Sequence, residues 1–117
     1  MQIVDPREPE HAKALVQIKA FLQCPSSCRA TGRVKQDLIR FKLSKGEVLD
    51  HALRHIDSGL PIYCQMQTMY FEKPCLGYVI QPLVVRAVAL FFKVALPPLE
   101  EGEEPYLQIL AAHEPQS

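Results

Sequence analysis

Lys93 and His113 are the residues of this sequence best suited to move a proton and hold charge on a phosphodiester. An imidazole gives up or takes a proton near neutral pH, as an acid or a base. A lysine or arginine beside it stabilises the negative charge that gathers on a pentacoordinate phosphorane. Lys93 and His113 fall late in segments with strand-like composition, and an earlier segment of that kind adds Tyr63, Gln65 and Gln67. Arg86 is a second candidate for the phosphorane charge. A sheet face that mixes lysine, histidine, glutamine and tyrosine is unusual for a core, so His113, Lys93, Gln65, Gln67 and Arg86 form the candidate catalytic set. Strand parity puts His113 on the side of Leu107, Ile109 and Ala111.

Chemistry on a phosphodiester would also need cations to hold the polymer. Thirteen basic and thirteen acidic residues cancel, but they are not mixed along the chain. Residues 13–45 carry eight bases, namely Lys13, Lys19, Arg29, Arg33, Lys35, Arg40, Lys42 and Lys45, against a single acid. Residues 46–117 carry four bases and nine acids, four of which sit together in Glu100-Glu101-Gly102-Glu103-Glu104. If the helices of the basic block pack their apolar faces on a sheet, the cations point outward and form a phosphate-holding patch. Arg29, Arg33, Lys35, Arg40 and Lys42 are the expected RNA contacts. The acidic run reads as a solubilising loop tip.

Other chemistries fit less well. Cys24 and Cys28 have half of a structural zinc pattern, which His51 and His55, one helical turn apart, would complete as a Cys2His2 set. The spacing alone does not establish it, and no metal is expected. Cys64 and Cys75 lie on strand-like segments with no local signature of a nucleophile. The chain carries no Gly-x-Ser-x-Gly, phosphate loop or dinucleotide fingerprint, so no cofactor is expected. Its acidic amino-terminal stretch is unlike a secretory signal, which points to the cytoplasm and against disulfides. The apolar stretch over 78–96 is interrupted by Gln81, Pro82, Arg86 and Lys93, and reads as buried strand rather than a membrane span.

The elements that position these residues follow from periodicity. The chain has 117 residues, 48% of them apolar, enough for one domain with its own core. Leu15, Ile18, Phe21 and Leu22 predict a first helix over 9–23, and Val34, Leu38 and Phe41 a second over 34–43. Ser44 followed by Glu47 is a capping box, and Val48, Leu49, Ala52, Leu53 and Ile56 repeat behind it until Ser58-Gly59-Leu60-Pro61. Beyond Pro61 the period becomes two, with strands predicted over 62–71, 76–81, 84–96 and 106–113. The third strand is the long, central one. Residues 97–105 form an acidic hairpin loop. The expected fold is therefore α+β, three helices packed on a four-stranded, mostly antiparallel meander.

That order resembles the small ribonuclease toxins of the RelE/MqsR type. The similarity is carried by Ile18-Lys19-Ala20-Phe21-Leu22 near the start, Leu43-Ser44 opening the third helix, Ile62-Tyr63 opening the first strand, and the closing pair Ala89-Leu90-Phe91-Phe92-Lys93-Val94 and Tyr106-Leu107-Gln108-Ile109-Leu110-Ala111-Ala112-His113-Glu114. It spans residues 12–114. It implies a metal-independent endoribonuclease in which a 2′-hydroxyl attacks the adjacent phosphate, held inactive by a cognate antitoxin. At the positions of the family's strand lysine, strand tyrosine and final-strand lysine this chain has Cys64, Phe91 and His113; of these, His113 keeps a side chain able to transfer a proton. The competing expectation is a non-catalytic protein-interaction module, in which a strand pairs with a partner's strand or helix.

Overall fold

In a computed structural model, residues 1–69 and 71–115 of the chain are described. A two-residue strand, β1 (Gln2–Ile3), precedes the first helix, α1 (Pro9–Leu22). Pro9 opens that helix, where a missing N–H costs nothing. A 3-10 turn at Pro25–Ser27 leads into the short β2 (Cys28–Ala30). The second helix, α2 (Gly32–Phe41), starts two residues before the expected Val34, because the Thr31 hydroxyl accepts from the Val34 N–H at 3.2 Å and caps the earlier turn. At its far end Lys42 adopts φ 58° and the Leu43 N–H returns to the Leu38 carbonyl. This is a Schellman closure with lysine where glycine is usual. In α3 (Lys45–Asp57) both bonds of the Ser44–Glu47 capping box form.

The sheet is wider than the sequence predicts. β3 (Tyr63–Gln67), β4 (Cys75–Val85), β5 (Val88–Ala95) and β6 (Leu107–His113) make the antiparallel meander. β1 adds antiparallel to β3 and β2 adds parallel to β6, so the sheet is six-stranded and mixed, in the order β1-β3-β4-β5-β6-β2. The two extra strands are too short to show a period in the sequence. The strand expected over 62–71 ends at Gln67, and residue 70 of that expectation lies outside the described residues.

The strand expected over 84–96 is two strands. Val85 pairs with Val88 across a two-residue turn, and Arg86 and Ala87 in it both have positive φ, 46° and 67°. That is the requirement of a type I′ hairpin. No Gly, Asn or Asp marks the turn, so the apolar run conceals it. Positive φ costs a side chain-bearing residue about 1 kcal/mol. Ala87→Gly is therefore expected to stabilise the fold by about 0.5–1 kcal/mol, seen as a higher urea midpoint at unchanged m.

All three helices pack on one face of the sheet. Leu15, Ile18, Val34, Leu38, Leu49 and Ala52 form one apolar cluster with Ile80, Leu90, Phe92, Val94, Leu107 and Ile109. Val79, Ala95, Leu110 and Ala111 are also buried but lie outside that cluster, on the opposite face. Residues 98–105, the acidic connection between β5 and β6, are exposed. Among the described residues no helix is long and apolar enough to cross a membrane, and most of the apolar stretch over 78–96 lies in β4 and β5.

Candidate functional site

Pairing register places the polar strand residues on the face opposite the helices. Phe91 pairs with His113, Lys93 with Ala111 and with Val79, Gln65 with Gly77, and Gln67 with Cys75. Directly paired residues share a face. His113, Lys93, Gln65, Gln67 and Tyr63 therefore stand on one side, away from the apolar cluster.

His113 reaches that side through a bulge, which corrects the parity expected for it. Between Lys93 and Val94 the partner register shifts by one extra residue, Leu110. The shift turns Ala111 and His113 away from Leu107 and Ile109, which remain in the core. A second irregularity, at Gln81 and Pro82, lies opposite Phe91 on the other flank of β5.

The geometry around these residues is specific. The His113 ring stacks on Phe91, with centroids 5.1 Å apart and planes at 9°. Its Nδ1 lies 2.7 Å from the Glu114 carbonyl oxygen. A carbonyl only accepts, so Nδ1 carries the hydrogen and the neutral ring keeps its lone pair on Nε2. Lys93 donates from Nζ to Gln67 Oε1 at 3.2 Å, and Nζ stands 5.9 Å from the Phe91 ring centre. Burial pushes the Lys93 ammonium below the ordinary lysine range. Gln67, itself buried, is held by its Nε2 on the Gln65 carbonyl at 3.2 Å. A Cβ at position 77 would come 3.1 Å from the Gln67 side chain, so Gly77 gives Gln67 the room to lie flat.

From the other side α2 supplies cations. Arg33 and Arg40, with Thr31, Phe91, Lys93, Leu110, Ala111, His113 and Glu114, line one groove of about 560 Å³. Arg33 lies in the first turn of α2, where the helix dipole disfavours a positive charge. Asp37 sits between the two arginines along the helix. Arg33 Nε is 3.6 Å from its Oδ2, Arg40 Nη2 is 3.6 Å from its Oδ1, and Arg40 also lies 3.6 Å from Glu114 Oε1.

Not every expected residue joins this groove. Arg86 is at the hairpin tip, where its guanidinium binds the Glu47 carboxylate and donates to the Lys42 carbonyl at 2.6 Å. That pairing, with the Ser44 N–H, holds the Glu47 carboxyl down at about 2, and Arg86 braces α3 against the hairpin instead of facing His113. Arg29 lies over the Tyr106 ring at 3.8 Å, while Lys35 and Lys42 are exposed on and just beyond α2, outside the groove lining. Lys19 pairs with Asp57 at 2.6 Å, and Lys45 donates to the Cys28 carbonyl at 3.0 Å. The basic block thus gives the groove two of its eight cations.

The Cys2His2 set is not assembled. Burial raises the Cys28 thiol to about 11, and that thiol donates to the Phe21 carbonyl at 3.2 Å, the opposite of the thiolate a metal needs. His51 Nδ1 lies 2.8 Å from the Glu47 carbonyl and His55 Nε2 2.9 Å from that of Pro61. Among the described residues no three His, Cys, Asp or Glu side chains cluster as a metal site. A separate buried pair, His11 Nδ1 with the Tyr78 hydroxyl at 2.9 Å, sits under α1 on the helix-covered face, and burial pushes the Tyr78 hydroxyl up to about 12.

Compared with protein-family models, curated proteins and solved structures, the chain matches none. Fold and site together define it as an α+β protein with helices on one face of a mixed sheet and a cationic groove bordering the other.

Proposed function

We propose that this groove binds single-stranded RNA and that His113 and Lys93 cut it. The observation that carries the reading is convergence: an imidazole with its Nε2 lone pair available, a half-buried ammonium and two arginines line one groove. His113 Nε2 takes the proton of a ribose 2′-hydroxyl, and the 2′-oxygen attacks the adjacent phosphorus. Arg33, Arg40 and Lys93 stabilise the charge on the phosphorane. The bond to the 5′-oxygen breaks and Lys93 gives that oxygen its proton, leaving a 2′,3′-cyclic phosphate and a 5′-hydroxyl. The chain then acts as the ribonuclease toxins it resembles, and a cognate antitoxin silences it by covering the groove.

Arg33 and Arg40 set the binding test. Fluorescence anisotropy of a labelled single-stranded oligonucleotide, taken from about 50 to about 200 mM salt, should give an inverse log–log dependence of affinity on salt. Arg33→Ala should flatten that slope by about 0.7. Binding that ignores salt, or a slope that Arg33→Ala leaves unchanged, overturns the reading.

One observation favours an interaction module as the second reading. β1 covers only Tyr63 and Cys64, so beyond them β3 has no strand on that side among the described residues. Met66 is 54% exposed there, and Met69, two residues beyond the end of β3, is 93% exposed. Such an edge accepts a partner's strand. A defined protein that protects the β3 amides from exchange would select this reading.

A further inference from the structure

Asp37 is the one acid of the basic block, and its environment is unusual for a carboxylate. Its side chain is only 8% exposed, and among the described residues Oδ2 has no hydrogen-bond partner. Buried polar atoms are almost always satisfied, so an orphan carboxylate oxygen calls for an explanation. Its neighbours Val34 and Leu38 are apolar core, and an apolar residue at 37 would extend that face without burying a charge. What the carboxylate does touch is Arg33 on one side and Arg40 on the other, each at 3.6 Å, and both arginines line the groove while being largely exposed themselves.

We infer that Asp37 is a positioning residue that holds the Arg33 and Arg40 guanidiniums in place toward a phosphate in the groove. The inference rests on the RNA-binding reading above and adds the group that prepares its anion contacts. Two long cationic side chains otherwise spread over many rotamers, and fixing them before binding reduces the ordering that RNA must impose. Asp37 remains beneath them, so it anchors the pair without occupying the place of the phosphate.

The sign of one substitution separates this role from two simpler ones. Removing a carboxylate that merely repels RNA tightens binding, and removing one that merely supports the fold lowers Tm. For Asp37→Asn the expected result is neither: Tm equal to or above wild type, affinity for a single-stranded oligonucleotide down about tenfold, and a salt slope flatter by about 0.7–1.4 as one or both arginines release their phosphates. Asp37→Glu should recover part of the affinity. Without RNA, the Arg33 Nε–H and Arg40 Nη–H signals in nitrogen-15 NMR spectra should shift and broaden in Asp37→Asn relative to wild type. Tighter binding in Asp37→Asn, a lowered Tm accompanying the loss, or unchanged arginine signals overturns the inference. If wild-type protein binds no RNA, the reading of the groove fails, while the arginine signals still decide the role of Asp37.

Discussion

In the His113→Ala variant RNA is expected to stay bound and to stay whole. Alanine removes the Nε2 lone pair that the proposed mechanism uses as base and leaves Arg33, Arg40 and Lys93 in place around the groove. General-base catalysis by a positioned imidazole is worth about 10²–10⁴ in rate, and kcat should fall by that factor. The affinity should stay within about threefold, because the cations that hold the phosphates are unchanged. Mass spectrometry of the products is the readout: wild type yields 2′,3′-cyclic phosphate ends and His113→Ala yields almost none. An equal loss of affinity and rate would instead make His113 a binding residue. Stacking against Phe91 and the bond to the Glu114 carbonyl fix the ring's orientation, so Phe91→Ala should reproduce part of the loss in kcat through a freed imidazole.

Lys93→Met should cost about 10²–10³ in kcat, the usual size of a lost charge-stabilising group, and should change the pH profile in a particular way. The proposed cleavage uses a charged Lys93, so the wild-type rate should fall as the ammonium loses its proton. Burial depresses Lys93 below the ordinary lysine value of 10.5. The alkaline limb therefore starts below that value in wild type and disappears in Lys93→Met. Stability carries the same signature. Below its depressed pKa the folded protein bears the cost of a half-buried ammonium, and that cost is relieved as pH rises from the folded to the unfolded pKa. Lys93→Met should flatten this alkaline rise in stability, measured by urea unfolding across pH. An unaltered alkaline limb would remove Lys93 from the proton transfer.

Local signals in the sequence were legible where they are strong. The Ser44–Glu47 box predicts the start of α3 because two backbone N–H groups need partners and two nearby side chains provide them. The change of period after Pro61 marks the meander, and Lys93, Gln67 and His113 stand out as polar residues in apolar strands. Three features are set by tertiary pairing that no local pattern reveals. The extra residue Leu110 turns His113 to the opposite face, and a bulge leaves no mark on composition. The hairpin at Arg86 and Ala87 breaks a run whose residues are all compatible with strand, so the apolar pattern puts Arg86 on the sheet, whereas it pairs with Glu47 at the start of α3. Asp37, counted only as one negative charge among eight positive ones, proves to lie between the two arginines that reach the groove.

The location of the nucleic acid is the most direct test of the whole account. Nitrogen-15-labelled protein titrated with a short, uncleavable single-stranded RNA carrying 2′-O-methyl groups reports every amide that the ligand perturbs. Shifts confined to Thr31, Arg33, Arg40, Phe91, Lys93, Ala111 and His113 are the predicted result. Shifts along the uncovered edge of β3, around the acidic loop, or nowhere at saturating RNA would contradict it.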